Sequence, residues 1–109
     1  MAKKNITSKK SKRFAQEYVE YLQVEHHLPI KQAYLFGSYA KKKQRHWSDI
    51  DVCIISPDFK KIDPLAYLWT RRRDIDIERG IEPYGIAPED FVEINPIAYE
   101  VKKYGITLL

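Results

Sequence analysis

The chain has 109 residues, room for one small domain, and its 44% hydrophobic and 31% charged composition is that of an ordinary folded protein. The longest apolar run, Val52-Cys53-Ile54-Ile55, is far too short to cross a membrane, and the polar, basic start leads to the expectation of no signal peptide. A single cysteine excludes an internal disulfide framework and a cysteine-based zinc site, and fits a reducing, cytoplasmic location.

The formal net charge of +4 is unevenly spread. Six of the 19 basic residues (Lys3, Lys4, Lys9, Lys10, Lys12 and Arg13) precede Phe14, which leaves 13 basic against 15 acidic residues in the rest. The body is therefore near neutral. Residues 1–10 are expected to form a basic, disordered tail ahead of one domain spanning residues 11–109. A tail of this kind can attach weakly to nucleic acid, the less favoured reading.

In chain order, Ser11 is the expected cap of a helix reaching about Glu25, since Phe14, Ala15, Tyr18, Val19 and Leu22 recur at three- and four-residue spacing. Gln32 to Phe36 has strand length and ends at Gly37. Asp49 to Ile55 reads as a second strand, and its β-branched apolar run predicts cover on both faces. Asp63-Pro64 opens a helix expected to reach the Arg71–Arg73 region. A third strand over Gly80–Ile86 carries Pro83, which predicts a bulge or an edge position. Pro88 to Phe91 is a short helical turn. Pro96 to Lys103 is a last helix stopped by Gly105, and Ile106 to Leu109 a final edge strand. Strands alternating with helices predict an α/β fold, a small mixed central sheet flanked by helices.

The chemistry lies in Gly37-Ser38-Tyr39-Ala40-Lys41 and, seven residues later, Asp49-Ile50-Asp51-Val52. Strand alternation puts Asp49 and Asp51 on one face and turns Ile50 to the core. Two neighbouring carboxylates repel unless a cation lies between them, and oxygen-only ligands suit Mg²⁺. Gly37 allows backbone conformations closed to other residues and leaves room for a phosphate. Ser38 adds a hydroxyl donor, the following amides are expected to open a helix that attracts anions, and Lys41, Lys42 and Lys43 can neutralise a triphosphate. Each part alone is common; the spacing is not.

The stretch GSYAKKKQRHWSDIDV, residues 37–52, resembles the DNA polymerase β-like nucleotidyltransferase superfamily, marked by Gly-Ser and, about ten residues on, Ser-Asp-x-Asp on a strand. Within it the chain looks most like the minimal nucleotidyltransferases of bacteria and archaea, from Tyr34 through the closing pattern Tyr99-Glu100-Val101-Lys102-Lys103-Tyr104-Gly105-Ile106. The resemblance implies a nucleotidyltransferase fold and transfer of a nucleoside monophosphate, AMP from ATP, to an acceptor hydroxyl. It implies Asp49 and Asp51 as ligands of two Mg²⁺ ions, and a third carboxylate on the next strand. Glu82 is the favoured match for that carboxylate and Asp76 the alternative. Gly37, Ser38, Lys41 and Ser48 are then the nucleotide-binding residues. Where the family often has a second glycine, in Gly-Ser-x-Ala-x-Gly, this chain has Lys42.

The resemblance also implies a partner, a helical HEPN-type protein neutralised by AMP addition to a tyrosine in a toxin–antitoxin pair, and leaves an oligomer open. Two other classes remain: a non-catalytic module that neutralises a partner by contact, and a nucleic-acid binder using the tail and Arg71–Arg73. His26 and His27, adjacent at a helix end, are expected to be structural. His46 and Trp47 divide between packing and contact with a base, and Cys53 reads as a small buried hydrophobe. Some of the eight tyrosines are expected to face a partner.

Overall fold

A computed structural model describes residues 7–41 and 49–109. The elements are helix α1 (Ser8–Glu25), strands β1 (Gln32–Phe36) and β2 (Ile50–Ile55), helices α2 (Pro64–Thr70) and α3 (Asp74–Glu78), strand β3 (Ile81–Ile86), helix α4 (Pro96–Tyr104) and strand β4 (Ile106–Thr107). The sheet order is β3-β2-β1-β4. Strand β1 runs antiparallel to both β2 and β4, whereas β2 and β3 are parallel, so the sheet is mixed as the sequence predicts. No helix among the described residues is long and apolar enough to cross a membrane.

Alternation divides the sheet into two apolar faces. Ala33, Leu35, Ile50, Val52, Ile54 and Ile81 pack with Ala15, Tyr18, Val19 and Leu22 of α1 and Leu68 of α2. The other face gathers Phe36, Cys53, Ile55 and Ile86 under Val101 of α4. Strand β2 is thus covered on both faces, as its apolar run requires. Gly85 lets α2 approach the sheet, since a Cβ there would strike Phe59 and Pro64. Pro83 lies on the edge strand, and its carbonyl accepts the Trp69 indole N–H at 3.0 Å, while Arg72 Nη1 donates to the Ile81 carbonyl at 3.2 Å. Side chains from α2 and the segment after it so occupy edge groups that would otherwise recruit another strand.

Several boundaries differ from expectation. Helix α1 begins at Ser8, not after Ser11: Thr7 is the cap, accepting the Lys10 N–H, and Ser11 is buried and donates its hydroxyl to the Ser8 carbonyl. Lys9, Lys10, Lys12 and Arg13 therefore stand on a helix. Helix α2 stops at Thr70. A separate helix, α3, follows, nucleated by Asp76, which accepts the Arg73 backbone N–H at 2.9 Å. The caps Asp63 and Asn95, each before a proline, start α2 and α4 where the sequence puts them.

Candidate active site

Strand β1 ends where Gly37 turns to φ +75°. Residues 38–41 continue as a turn, closed by the Lys41 N–H donating to the Gly37 carbonyl at 3.2 Å; the helix expected to open here does not appear among the described residues. Gly37 lies directly against Asp51, so that a Cβ on it would overlap the Asp51 carboxylate. Tyr39 is buried beneath the turn, and its hydroxyl has no hydrogen-bond partner among the described residues. Burial, and secondarily Asp49, raises its pKa above the usual tyrosine range.

Antiparallel pairing sets Asp51 opposite Phe36, and parallel pairing sets it opposite Glu82. The Ile50 N–H donates to the Gly80 carbonyl at 2.8 Å, fixing the two strand starts side by side, with Asp49 one residue before β2. Tyr84, two residues beyond Glu82, shares its face and meets Phe36 edge-on. Its pKa is raised chiefly by burial, then by the charges of Asp51, Glu82 and Asp49 in that order, so all three carboxylates lie within electrostatic reach of one hydroxyl. Asp76 sits elsewhere. It is buried in α3 and accepts from Arg73 Nε at 2.8 Å and Nη2 at 2.9 Å.

Asp49, Asp51, Glu82, Gly37, Ser38 and Lys41 thus lie at neighbouring ends of β1, β2 and β3. Ser48 lies outside the described residues, as do Lys42, Lys43, His46 and Trp47. The donors are hard oxygens of the kind Mg²⁺ takes, and the Tyr39 hydroxyl, without a hydrogen-bond partner among the described residues, is a further polar group near Asp49. Among the described residues, no three carboxylate, histidine or cysteine groups come together as a metal site, Asp49, Asp51 and Glu82 included. Mg²⁺ commonly takes one or two carboxylates and completes its shell with water and substrate phosphate.

One neighbour of the turn escaped the sequence. Glu100 of α4 accepts the Gly37 N–H at 3.0 Å and pairs with Lys41 Nζ at 3.5 Å. It stands in the closing pattern already noted, but no local spacing links it to Gly37. The discounted groups are absorbed structurally. His26 caps α1 and contacts the Tyr21 hydroxyl through Nε2 at 2.9 Å. Cys53 is buried, its thiol pushed up to about 12 by desolvation. Arg71, Arg72 and Arg73, the arginines of the nucleic-acid-binding alternative, lie over the rings of Tyr67, Trp69 and Tyr21.

A mixed sheet carrying neighbouring carboxylates beside a glycine turn defines a protein of the nucleotidyl-transfer class. The chain belongs to the nucleotidyltransferase domain family, whose model matches residues 9–106, and it is a nucleotidyltransferase. Comparison with curated proteins finds no match. Among solved structures it resembles a candidate nucleotidyltransferase from Sulfolobus solfataricus, with a TM-score of 0.62 at 19% identity over 95% of this chain and 87% of that one. It also resembles a chain of a toxin–antitoxin structure with AMP-PNP, with a TM-score of 0.61 at 18% identity over 86% of this chain and 72% of that one. Both likenesses are of fold.

Proposed function

We propose that the protein transfers AMP from ATP to a hydroxyl of a partner protein, with Asp49, Asp51 and Glu82 as metal ligands and Gly37, Ser38, Lys41 and Ser48 as the triphosphate cradle. The observation that carries the reading is the register of Asp51 with Glu82 on adjacent parallel strands, with Gly37 packed against Asp51. Carboxylates and anion cradle then share one sheet end, the geometry needed for attack opposite a departing pyrophosphate. A pair of magnesium ions bound there would neutralise charge on the triphosphate and the leaving group.

In the transfer, the acceptor oxygen forms a bond to the α-phosphorus while the bond from that phosphorus to the bridging oxygen of pyrophosphate breaks. The acceptor proton leaves toward the Glu82 carboxylate, on the far strand of the pair. Ser38 and Lys41 hold the β- and γ-phosphates so that the leaving group stays in line. The toxin–antitoxin structure, which shares the fold and was solved with AMP-PNP, supports a protein acceptor in a toxin–antitoxin pair; that the partner is a helical HEPN-type toxin rests on the family resemblance alone.

The test is incubation of the protein with Mg²⁺ and ATP labelled at the α-phosphate in an extract of its own host, beside an Asp51→Asn variant. A labelled protein band made by the wild type and lost in the variant is expected. Label in RNA would keep the chemistry and replace the acceptor. Absence of label from any of the four triphosphates, with no Mg²⁺-dependent nucleotide binding, would overturn the reading.

A further inference from the structure

We infer that Glu100 is an internal counter-ion of the phosphate turn, holding on Lys41 the place a triphosphate takes, and that nucleotide binding exchanges it. The inference rests on the reading of Gly37–Lys41 as a triphosphate cradle. Helix α4 presents Glu100 and Tyr104 four residues apart, on one face. Glu100 Oε2 accepts the Gly37 N–H at 3.0 Å and Oε1 pairs with Lys41 Nζ at 3.5 Å. The same ammonium lies 5.2 Å from the centroid of the Tyr104 ring. Lys41 is thus held between a carboxylate and an aromatic face, both on one turn of α4.

Two anion-seeking groups of the turn, a backbone amide beside a strand end and the lysine that follows, are both satisfied by one carboxylate. A pair of phosphate oxygens makes the same two contacts. The side chains of Lys41 and Glu100 are 32% and 31% exposed, so the pair is solvated enough to part and its attraction is moderated by water. The contact spans 63 residues of sequence, so it is the docking of α4 that brings this charge to the turn. A negative group left beside Lys41 opposes an incoming triphosphate. A neutral group of the same shape would not, while still accepting the Gly37 N–H.

Glu100→Gln separates these roles, because its amide oxygen keeps the bond to Gly37 and its charge is gone. The experiment titrates the full chain with the Mg²⁺ complex of α,β-methylene ATP, whose α–β link cannot be cleaved, in wild type, Glu100→Gln, Lys41→Ala and the double variant. Glu100→Gln is expected to tighten binding about three- to fivefold at low salt, with the gain shrinking at about 0.5 M salt and absent in the Lys41→Ala background. Unchanged or weaker binding by Glu100→Gln, or a gain that survives Lys41→Ala, overturns the inference while leaving the cradle intact. A wild type that binds no analogue overturns the cradle and the inference together. Should Glu100→Gln fail to fold, Glu100→Asp withdraws the charge from Lys41 by one methylene and is expected to tighten binding in the same direction. Unchanged or weaker binding there overturns it equally.

Discussion

Gly37 and Asp51 are packed so closely that the space a side chain would fill on the first is taken by the carboxylate of the second. The turn that ends β1 and the carboxylate on β2 are therefore one unit. Gly37 also holds φ +75°, where an L side chain is strained by about 1–2 kcal/mol.

Gly37→Ala tests that unit. The added methyl must displace Asp51 and accept the strained backbone, so the melting temperature is expected to fall by about 5–10 °C. Transfer should fall further than stability does, by at least about 100-fold in the folded protein, because a misplacement of about an ångström is enough for that. A variant that melts lower but transfers AMP at the wild-type rate would show that the Gly37–Asp51 contact is only structural.

Glu82 and Asp76 separate function from stability. Glu82 is in register with Asp51, whereas Asp76 is buried under Arg73, whose guanidinium pKa it raises mainly through their hydrogen bond. Glu82→Gln is expected to lose transfer while its urea unfolding curve barely moves. Asp76→Asn should lose roughly 2–3 kcal/mol of stability, a figure held down because Arg73 is 34% exposed, and keep its affinity for ATP below the unfolding transition. The reverse pattern would make Asp76 the third carboxylate.

Ligand linkage gives a check independent of the acceptor. Magnesium with a non-cleavable ATP analogue at about 100 times its dissociation constant should stabilise the wild type by about 2.7 kcal/mol and raise its melting temperature by about 10 °C. Asp51→Asn should show little of that rise. An equal rise in both would remove Asp51 from the nucleotide–metal site.

Much of this was legible in the residues because the signals are local. Gly37 ends β1, Pro64 and Pro96 follow capping residues, and Asp51 alternates with Ile50 and Val52 along β2. Helix α3 was not, since Asp74-Ile75-Asp76-Ile77 alternates like a strand, whereas its first turn is capped by the contact of Asp76 with Arg73. The Ser11 cap was misread because Thr7 is equally suited and the burial of Ser11 is tertiary. Glu100 could not be found by spacing at all, being 63 residues from the amide it holds.

The last prediction concerns alkaline pH. An exposed thiol titrates near 9.0, whereas desolvation pushes Cys53 up to about 12 in the folded chain. Between these values the unfolded state has lost a proton that the folded state keeps, so stability is full below pH 9 and falls as pH rises, by at most about 1.4 kcal/mol per unit for one group. Tyr18, Tyr39 and Tyr84 are also raised by burial from an ordinary 10.0, and therefore add to the loss only at higher pH. Urea unfolding between pH 8 and about 10 should then show a decline that Cys53→Ala largely removes, leaving the steeper loss above pH 10 in place. If the alanine variant declines as the wild type does over that window, the thiol is not the group responsible.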